Sequence, residues 1–286
     1  MEFFASCPEG FEDALANELK GLGLPQVRKL KGRVAFGGGG ADGERACLWS
    51  RLASRIHVVV GRFACIDAED LYAGARAIAW EDILANGATI AVTARGTTPD
   101  LRNTHFSALR VKDALCDRLL ETTGARPTVD TERPAAHIAL ALRGERATIT
   151  LDLSGEALFR RLPREATHGA GAHVLRPDYA ALALVQAGWD AACRDTSEDA
   201  GPLALIDASC AGGGIVLEAA SILLDRAPGL ARESWGFFGW GEHDESVWID
   251  LLNEANGRAA AASERAGKII ASDIDPAHVS FAQRIV

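Results

Sequence analysis

Residues Leu203 to Ala220 read Leu-Ala-Leu-Ile-Asp-Ala-Ser-Cys-Ala-Gly-Gly-Gly-Ile-Val-Leu-Glu-Ala-Ala. An apolar run of strand length ends at Asp207, passes through small residues and continues into an apolar helix. Strand, glycine-rich turn and helix in that order present free backbone N–H groups to a nucleotide-type cofactor. The three consecutive glycines, Gly212 to Gly214, remove Cβ atoms that would hold a ligand off the backbone, and they permit φ > 0 at a sharp bend. A glycine-rich surface turn is the alternative on the same residues.

Downstream, Pro228-Gly229-Leu230 ends the helix begun at Gly214, and an aromatic loop follows with Trp235, Phe237, Phe238 and Trp240. His243 to Ala266 returns to helical spacing, Lys268 to Ala271 is a short buried strand, and Ser272-Asp273-Ile274-Asp275-Pro276 turns into a last helix. Asp207 and Asp273 thus close two successive strands, as expected of a doubly wound sheet. The second acid is placed to accept hydrogen bonds from ribose hydroxyls. The two lie 66 residues apart, far beyond the roughly 20 of a dinucleotide fold. This spacing disfavours a nicotinamide-dependent oxidoreductase and by itself selects no other cofactor.

Upstream of the decisive stretch, Tyr179 to Ala192 is an Ala-rich helix with Gly188-Trp189 near its end. Before it, Leu158 to Arg176 has little periodicity and many cations: Arg160, Arg161, Arg164 and Arg176, with His168 and His173. Such a segment between two domains either holds an RNA backbone through phosphate contacts or is a solvated loop.

The first 155 residues alternate strands and helices in α+β order. A strand over Glu2 to Cys7 and a helix over Gly10 to Leu22 precede a hairpin, Gln26 to Leu30 with Arg33 to Phe36, that turns at Lys31-Gly32. Its basic residues Arg28, Lys29, Lys31 and Arg33 face phosphates or solvent. Gly37 to Gly40 reads as a loop, Glu44 to Ser54 as a helix and Ile56 to Ala64 as a β-branched strand. Asp67 caps a helix reaching Ala79, followed by a strand over Thr89 to Ala94. In Leu101 to Leu120, Val111, Leu115 and Leu119 form an apolar row at helical spacing. Arg102, Asn103 and His105 stand at that helix's start, where free N–H groups meet an anion or are merely capped. Ile138 to Leu142 and Ala147 to Leu153 form an antiparallel pair.

Composition bounds the rest. The 286 residues suit two domains, each with its own core, and 48% hydrophobic with 24% charged residues is an ordinary globular balance. No apolar window is long enough to span a membrane and no signal peptide opens the chain, which predicts a cytoplasmic protein. The six cysteines are scattered without Cys-x-x-Cys spacing, arguing against a disulfide framework or a metal site. Net charge is −9, split as 19 Lys and Arg to 20 Asp and Glu over residues 1–155, against 11 to 19 over residues 156–286. That asymmetry places a boundary near residue 155.

At several points the sequence resembles the large-subunit ribosomal RNA guanine-N2 methyltransferases that carry an N-terminal THUMP domain. The matching residues include Phe3-Phe4-Ala5-Ser6, Trp49-Ser50-Arg51-Leu52-Ala53-Ser54-Arg55-Ile56, Asp70-Leu71-Tyr72 and Arg102-Asn103 with Val111-Lys112-Asp113-Ala114. They continue through Leu151-Asp152-Leu153-Ser154-Gly155, Asp207 to Ala220, Asp225 to Leu230, Trp235-Gly236-Phe237, His243-Asp244-Glu245 and Ser272-Asp273-Ile274-Asp275. The resemblance implies an α+β THUMP and ferredoxin-like half followed by the start of an α/β Rossmann-like class I methyltransferase domain. It divides the chain into a ferredoxin-like segment (1–44), a THUMP RNA-binding domain (45–155), a linker (156–176) and the first part of the methyltransferase domain (177–286). S-adenosylmethionine is the implied cofactor and 23S ribosomal RNA, before or during large-subunit assembly, the implied partner, with no membrane and no metal.

Carried onto this chain, the family pattern has Asp207, Cys210 and Gly213 lining the methionine side, Gly212 in the same turn, and Asp273 on the ribose. Arg102, Asn103, Lys112, Arg160, Arg161 and Arg164 are the RNA-binding candidates. Where the family has Asp-Pro-x-Cys-Gly-Ser-Gly-Thr, this chain has Ala208, Ala211 and Gly214 in place of the proline, first glycine and threonine. Gly212 is expected to take up the backbone demand created at Ala211. The family's Asn-Pro-Pro-Tyr motif follows the second strand, beyond Val286, so no catalytic residue is assigned and the chain is expected to be part of a longer enzyme. The alternative is an RNA-binding module without catalytic activity.

Overall fold

The computed structural model describes residues 1–161, 174–195, 197 and 203–285. Seven strands form one continuous sheet: β1 (Glu2–Ser6), β2 (Arg28–Leu30), β3 (Arg33–Gly37), β4 (Arg55–Ala64), β5 (Ile90–Arg95), β6 (Ala136–Arg143) and β7 (Arg146–Asp152), in the spatial order β2-β3-β1-β4-β7-β6-β5. All neighbours are antiparallel except the parallel pair β5 and β6. Strand β4 joins the two N-terminal units, pairing with β1 along its first half and with β7 along most of its length. A register shift between Val59 and Gly61 keeps its later residues in phase with the same two faces.

Period-2 alternation gives this sheet one buried and one open face. Ile138, Leu140 and Leu142 of β6 and Ala147, Ile149 and Leu151 of β7 are buried, while the residues between them are half-buried or exposed on the other side. The buried face is covered by α1 (Glu12–Gly21), α2 (Gly40–Trp49), α3 (Ala68–Arg76), α4 (Trp80–Ile83) and α5 (Thr104–Thr123). The apolar row expected on α5 is buried as Val111, Leu115 and Leu119. Asp67 caps α3 as expected, accepting from the N–H groups of Glu69 and Asp70, both at 2.9 Å.

Two helix boundaries differ from expectation. Helix α2 begins inside the supposed loop, because the Asp42 carboxylate accepts from Gly39 N at 2.8 Å and caps a turn that propensity alone disfavours. It stops at Trp49, because the Glu18 carboxylate of α1 takes Ser50 Oγ at 2.6 Å and Arg51 N at 2.9 Å and pulls the chain out of helical register. The boundary expected between residues 44 and 45 therefore falls inside a helix. The Ala-rich helix divides into α6 (Pro177–Gln186) and α7 (Trp189–Arg194), because Gly188 adopts φ +78° between them.

The second unit holds β8 (Ala204–Asp207), α8 (Gly214–Leu223), a 3-10 turn (Gly236–Gly239), α9 (Glu245–Ala261), β9 (Lys268–Ala271) and α10 (Pro276–Ile285). Its own cores are small, one around Leu184, Trp189, Ala219 and Ile222 and one around Cys210, Val216 and Ala282. The expectation of two separately cored domains fails for the segment between α8 and β9. Trp235, Phe237, Trp240, Trp248 and Leu251 belong to the core of the N-terminal sheet, with Phe3, Leu48 and Leu153. This aromatic arm is tied down by backbone bonds, Phe237 N to Leu153 O at 3.1 Å and Gly241 N to Ile83 O at 2.8 Å. A Cβ on Gly236 would collide with the carbonyl of Asp152 and the N of Gly155, so glycine is required by the close approach.

Candidate cofactor site at the ends of β8 and β9

Strands β8 and β9 run parallel in register from Ala204 opposite Lys268 to Asp207 opposite Ala271, so their carboxyl ends coincide. Beyond the ends the two connections are laced together. Ser272 N donates to Asp207 O and Cys210 N to Ser272 O, both at 2.9 Å. The carboxyl ends of adjacent parallel strands are where open α/β sheets bind ligands.

The glycine-rich turn departs from expectation at one residue. Ala211 itself takes φ +42° and Gly213 takes φ +74°, whereas Gly212 has no positive φ. An alanine therefore carries a conformation whose Cβ clash costs about 1–2 kcal/mol. Compensation comes from Asp273, whose Oδ2 accepts from Ala211 N at 2.9 Å. Gly214 opens α8, and a Cβ there would lie 2.9 Å from Leu175 O. The chain entering α6 thus passes directly over the helix start.

Asp207 and Asp273 differ in satisfaction. Asp207 Oδ1 accepts from Ser209 N at 3.2 Å, while its Oδ2 is buried without a hydrogen-bond partner. Asp273 Oδ1 accepts from Asp275 N at 2.9 Å and lies 3.1 Å from His278 Nδ1. The backbone N–H groups of Asp275 and Ala211, with His278, hold the Asp273 carboxyl below its ordinary value. Cys210 is buried, and desolvation, with Asp207 and Asp273 nearby, pushes its thiol up, so it is neutral at pH 7. His278 was not singled out from the sequence; its only sequence signal is a place in the first turn of the helix that follows Asp275-Pro276.

The RNA-binding candidates are dispersed. Asn103 caps α5, accepting from Phe106 N at 3.2 Å, and Arg102 Nε donates to Pro99 O at 2.7 Å. Lys112 pairs with Asp113 at 2.7 Å, and the exposed Arg160 pairs with Glu156 at 3.0 Å. Arg161 corrects its expectation. Its side chain is 6% exposed and its Nε donates to Glu218 Oε2 of α8 at 3.1 Å. Glu218 also takes Arg51 Nη1 at 2.7 Å, so Arg161 is half of a buried clamp between the two units and presents no charge to a ligand. Arg164 lies outside the described residues. Among the described residues no group of three or more His, Cys, Asp or Glu is arranged to hold a metal, and no helix is long and apolar enough to cross a membrane.

The fold and this site define a class: a THUMP-type α+β unit joined to a Rossmann-like methyltransferase unit. Family profiles agree, matching an RlmL ferredoxin-like domain over residues 2–57, a THUMP domain over 65–152 and an RMKL-like methyltransferase domain over 191–285. The chain belongs with the proteins that combine these domains. It is 42% identical over 276 residues to "Ribosomal RNA large subunit methyltransferase K/L" of Aeromonas salmonicida, covering 96% of this chain and 36% of that protein. The chain thus spans about a third of the length of the curated relatives it matches. Among solved structures, SMU.472, crystallised in complex with SAH, superposes with a TM-score of 0.82 at 26% identity, covering 99% of this chain and 71% of that one. A protein of Listeria monocytogenes named a predicted N6-adenine-specific DNA methylase superposes equally well, with a TM-score of 0.82 at 25% identity over 99% and 70% of the two chains.

Proposed function

We propose that this chain supplies the RNA-docking part and the first part of the cofactor site of a cytoplasmic methyltransferase. The cofactor is S-adenosylmethionine and the substrate the exocyclic N2 amine of a guanine in 23S ribosomal RNA. The observation that carries the reading is the buried, unpartnered Oδ2 of Asp207 at the carboxyl end of β8, beside the glycine-rich turn. An orphaned carboxylate oxygen calls for a donor, and the α-ammonium group of a methionine moiety is one. Asp273 retains capacity for one ribose hydroxyl, because a carboxylate accepts about four hydrogen bonds and the protein supplies three donors to it.

Bound at this site, S-adenosylmethionine supplies a methyl group on a positively charged sulfur. The chain's own contribution is placement. Asp207 and the 210–213 turn orient the amino-acid end, Asp273 orients the ribose, and the neutral Cys210 packs beside them without competing as a nucleophile. Transfer to an amine is an in-line displacement, so fixed geometry is the main source of rate. The ribosomal RNA substrate is supported by the relatives named for it, which align over most of this chain; the guanine N2 amine is what the sequence's resemblance to guanine-N2 methyltransferases implies.

Calorimetric titration with S-adenosylmethionine tests the site. Asp273→Ala and Asp207→Asn are each expected to weaken binding about 10-fold or more, the loss of a charge-assisted hydrogen bond. Unchanged affinity in both variants overturns the assignment. A second reading, an RNA-binding module that takes no cofactor, has support in the Asp273 carboxylate already serving Ala211 and Asp275. It requires RNA binding with no rise in melting temperature on adding S-adenosylmethionine.

A further inference from the structure

The open face of the seven-stranded sheet carries charge out of proportion to an acidic chain. Six of its strands each contribute one arginine to a single groove on this face: Arg28 from β2, Arg33 from β3, Arg62 from β4, Arg95 from β5, Arg143 from β6 and Arg146 from β7. The seventh, β1, contributes Phe4, with the Arg33 guanidinium 4.3 Å and that of Arg62 5.5 Å from its ring centre. The sheet curls so that these residues, far apart in strand order, line one groove of about 460 Å³. Burial, and the positive charges of Arg143, Arg95 and Arg62, make Arg33 a weaker base than usual, which places arginines from the two halves of the sheet within electrostatic reach.

Most of this charge is uncompensated. Glu2, the one acid in the groove, is taken by Arg62 and Arg28, and the acid further along the same face, Asp152, is taken by Arg55. Among the described residues Arg33, Arg95, Arg143 and Arg146 have no carboxylate within ion-pair distance. Unpaired guanidiniums that repel one another inside a concave surface are stable only where they are solvated or meet an anion, and such clefts concentrate positive potential.

We propose that this groove binds the phosphodiester backbone of a single RNA strand, a second RNA contact separate from helix α5 and the linker. The proposal rests on the reading of the chain as RNA-directed. Arginine matches phosphate oxygens bidentately. At about 460 Å³ the groove is the size of a small-molecule pocket, room for a short run of one strand's sugar-phosphate backbone. Phe4 is only 5% exposed beneath its arginines and offers no face for a base to stack on. Binding is therefore through phosphates, without sequence preference. The face is continuous across the ferredoxin-like and THUMP units, because β4 pairs with strands of both.

The test uses the whole chain with a fluorescent oligo-uridine and, separately, poly-glutamate, titrated by anisotropy over a series of KCl concentrations. The variant Arg95→Gln/Arg143→Gln/Arg146→Gln removes three exposed, unpaired charges from strand ends; an unchanged melting curve shows that it folds. Each phosphate contact of a single strand contributes about 0.7 to the log–log salt slope, so the slope should fall by about 2 and low-salt affinity by at least 10-fold. A control, Arg76→Gln/Arg126→Gln/Arg194→Gln, removes the same charge away from the groove and should leave the slope intact. Equal losses in variant and control, or an unchanged slope in the groove variant while wild type binds RNA, overturn the groove and leave the proposed activity standing. Poly-glutamate binding that RNA fails to displace overturns it in favour of an acidic protein segment. A wild-type chain that binds S-adenosylmethionine but no RNA overturns the groove and the RNA reading together.

Discussion

Glu218→Ala should open the contact between the two units of the chain. The Glu218 side chain is 7% exposed and serves Arg51 and Arg161, which are 13% and 6% exposed. Truncation leaves two guanidiniums facing each other in a dry interface with no counter-charge. Removing one partner of a buried ion pair costs about 3–5 kcal/mol, and here two cations are stranded at once, so the upper half of that range is expected. At 1.4 kcal/mol per factor of ten, opening of α8 should be favoured by about three to three and a half orders of magnitude. Amide hydrogen exchange along α8 reads this directly, with the strands β6 and β7 as an internal reference. Replacing all three residues, Arg51→Met/Glu218→Leu/Arg161→Met, should lose less than Glu218→Ala alone, because an apolar cluster of similar volume strands no charge. Exchange in α8 within about threefold of wild type for Glu218→Ala would refute the reasoning.

Three further outcomes follow from the same structure. Burial pushes the Glu218 carboxyl up, but Arg161 and Arg51 more than reverse this and leave it below 4.5; its contribution is present above that value and lost as pH falls through the lower folded one, so acid unfolding monitored by fluorescence should lose a limb in Glu218→Gln. Ala211→Gly should stabilise the protein by about 1 kcal/mol in denaturant titration by relieving the left-handed φ of +42°, and a loss of stability would contradict that account. Gly236→Ala should cost about 1–3 kcal/mol and shift the emission of the buried Trp235 to the red as the aromatic arm lifts off β7.

Much of the local structure was legible because it is set by local rules. The alternation in residues 138–142 and 147–153 became β6 and β7, the apolar row at four-residue spacing on α5 became its buried face, and Asp67 became an N-cap. Asp207 and Asp273 were found at adjoining strand ends because strand, turn and helix order is written in short stretches of chain. The failures share a cause. Helix α2 ends where Glu18, 32 residues earlier, captures Ser50, and no periodicity within α2 records that. The charge of Arg161 suggested a nucleic-acid contact, yet its partner is Glu218, 57 residues away. The number of cations in the linker does not distinguish a solvent-facing arginine from one neutralised across an interface.

By itself the sequence determined the identity and order of the elements and the acid-flanked, glycine-rich turn, since backbone propensity, capping and hydrophobic period act over a few residues. Only the tertiary structure decided which surfaces those elements share. It drew the aromatic arm of residues 235–251 into the N-terminal core, buried Arg161 and Arg51 around Glu218, and set the left-handed turn at Ala211 against Asp273. It also gathered one arginine from each of six strands into a single groove, a juxtaposition that arises from strand order and sheet curl and leaves no trace in any one segment of the chain.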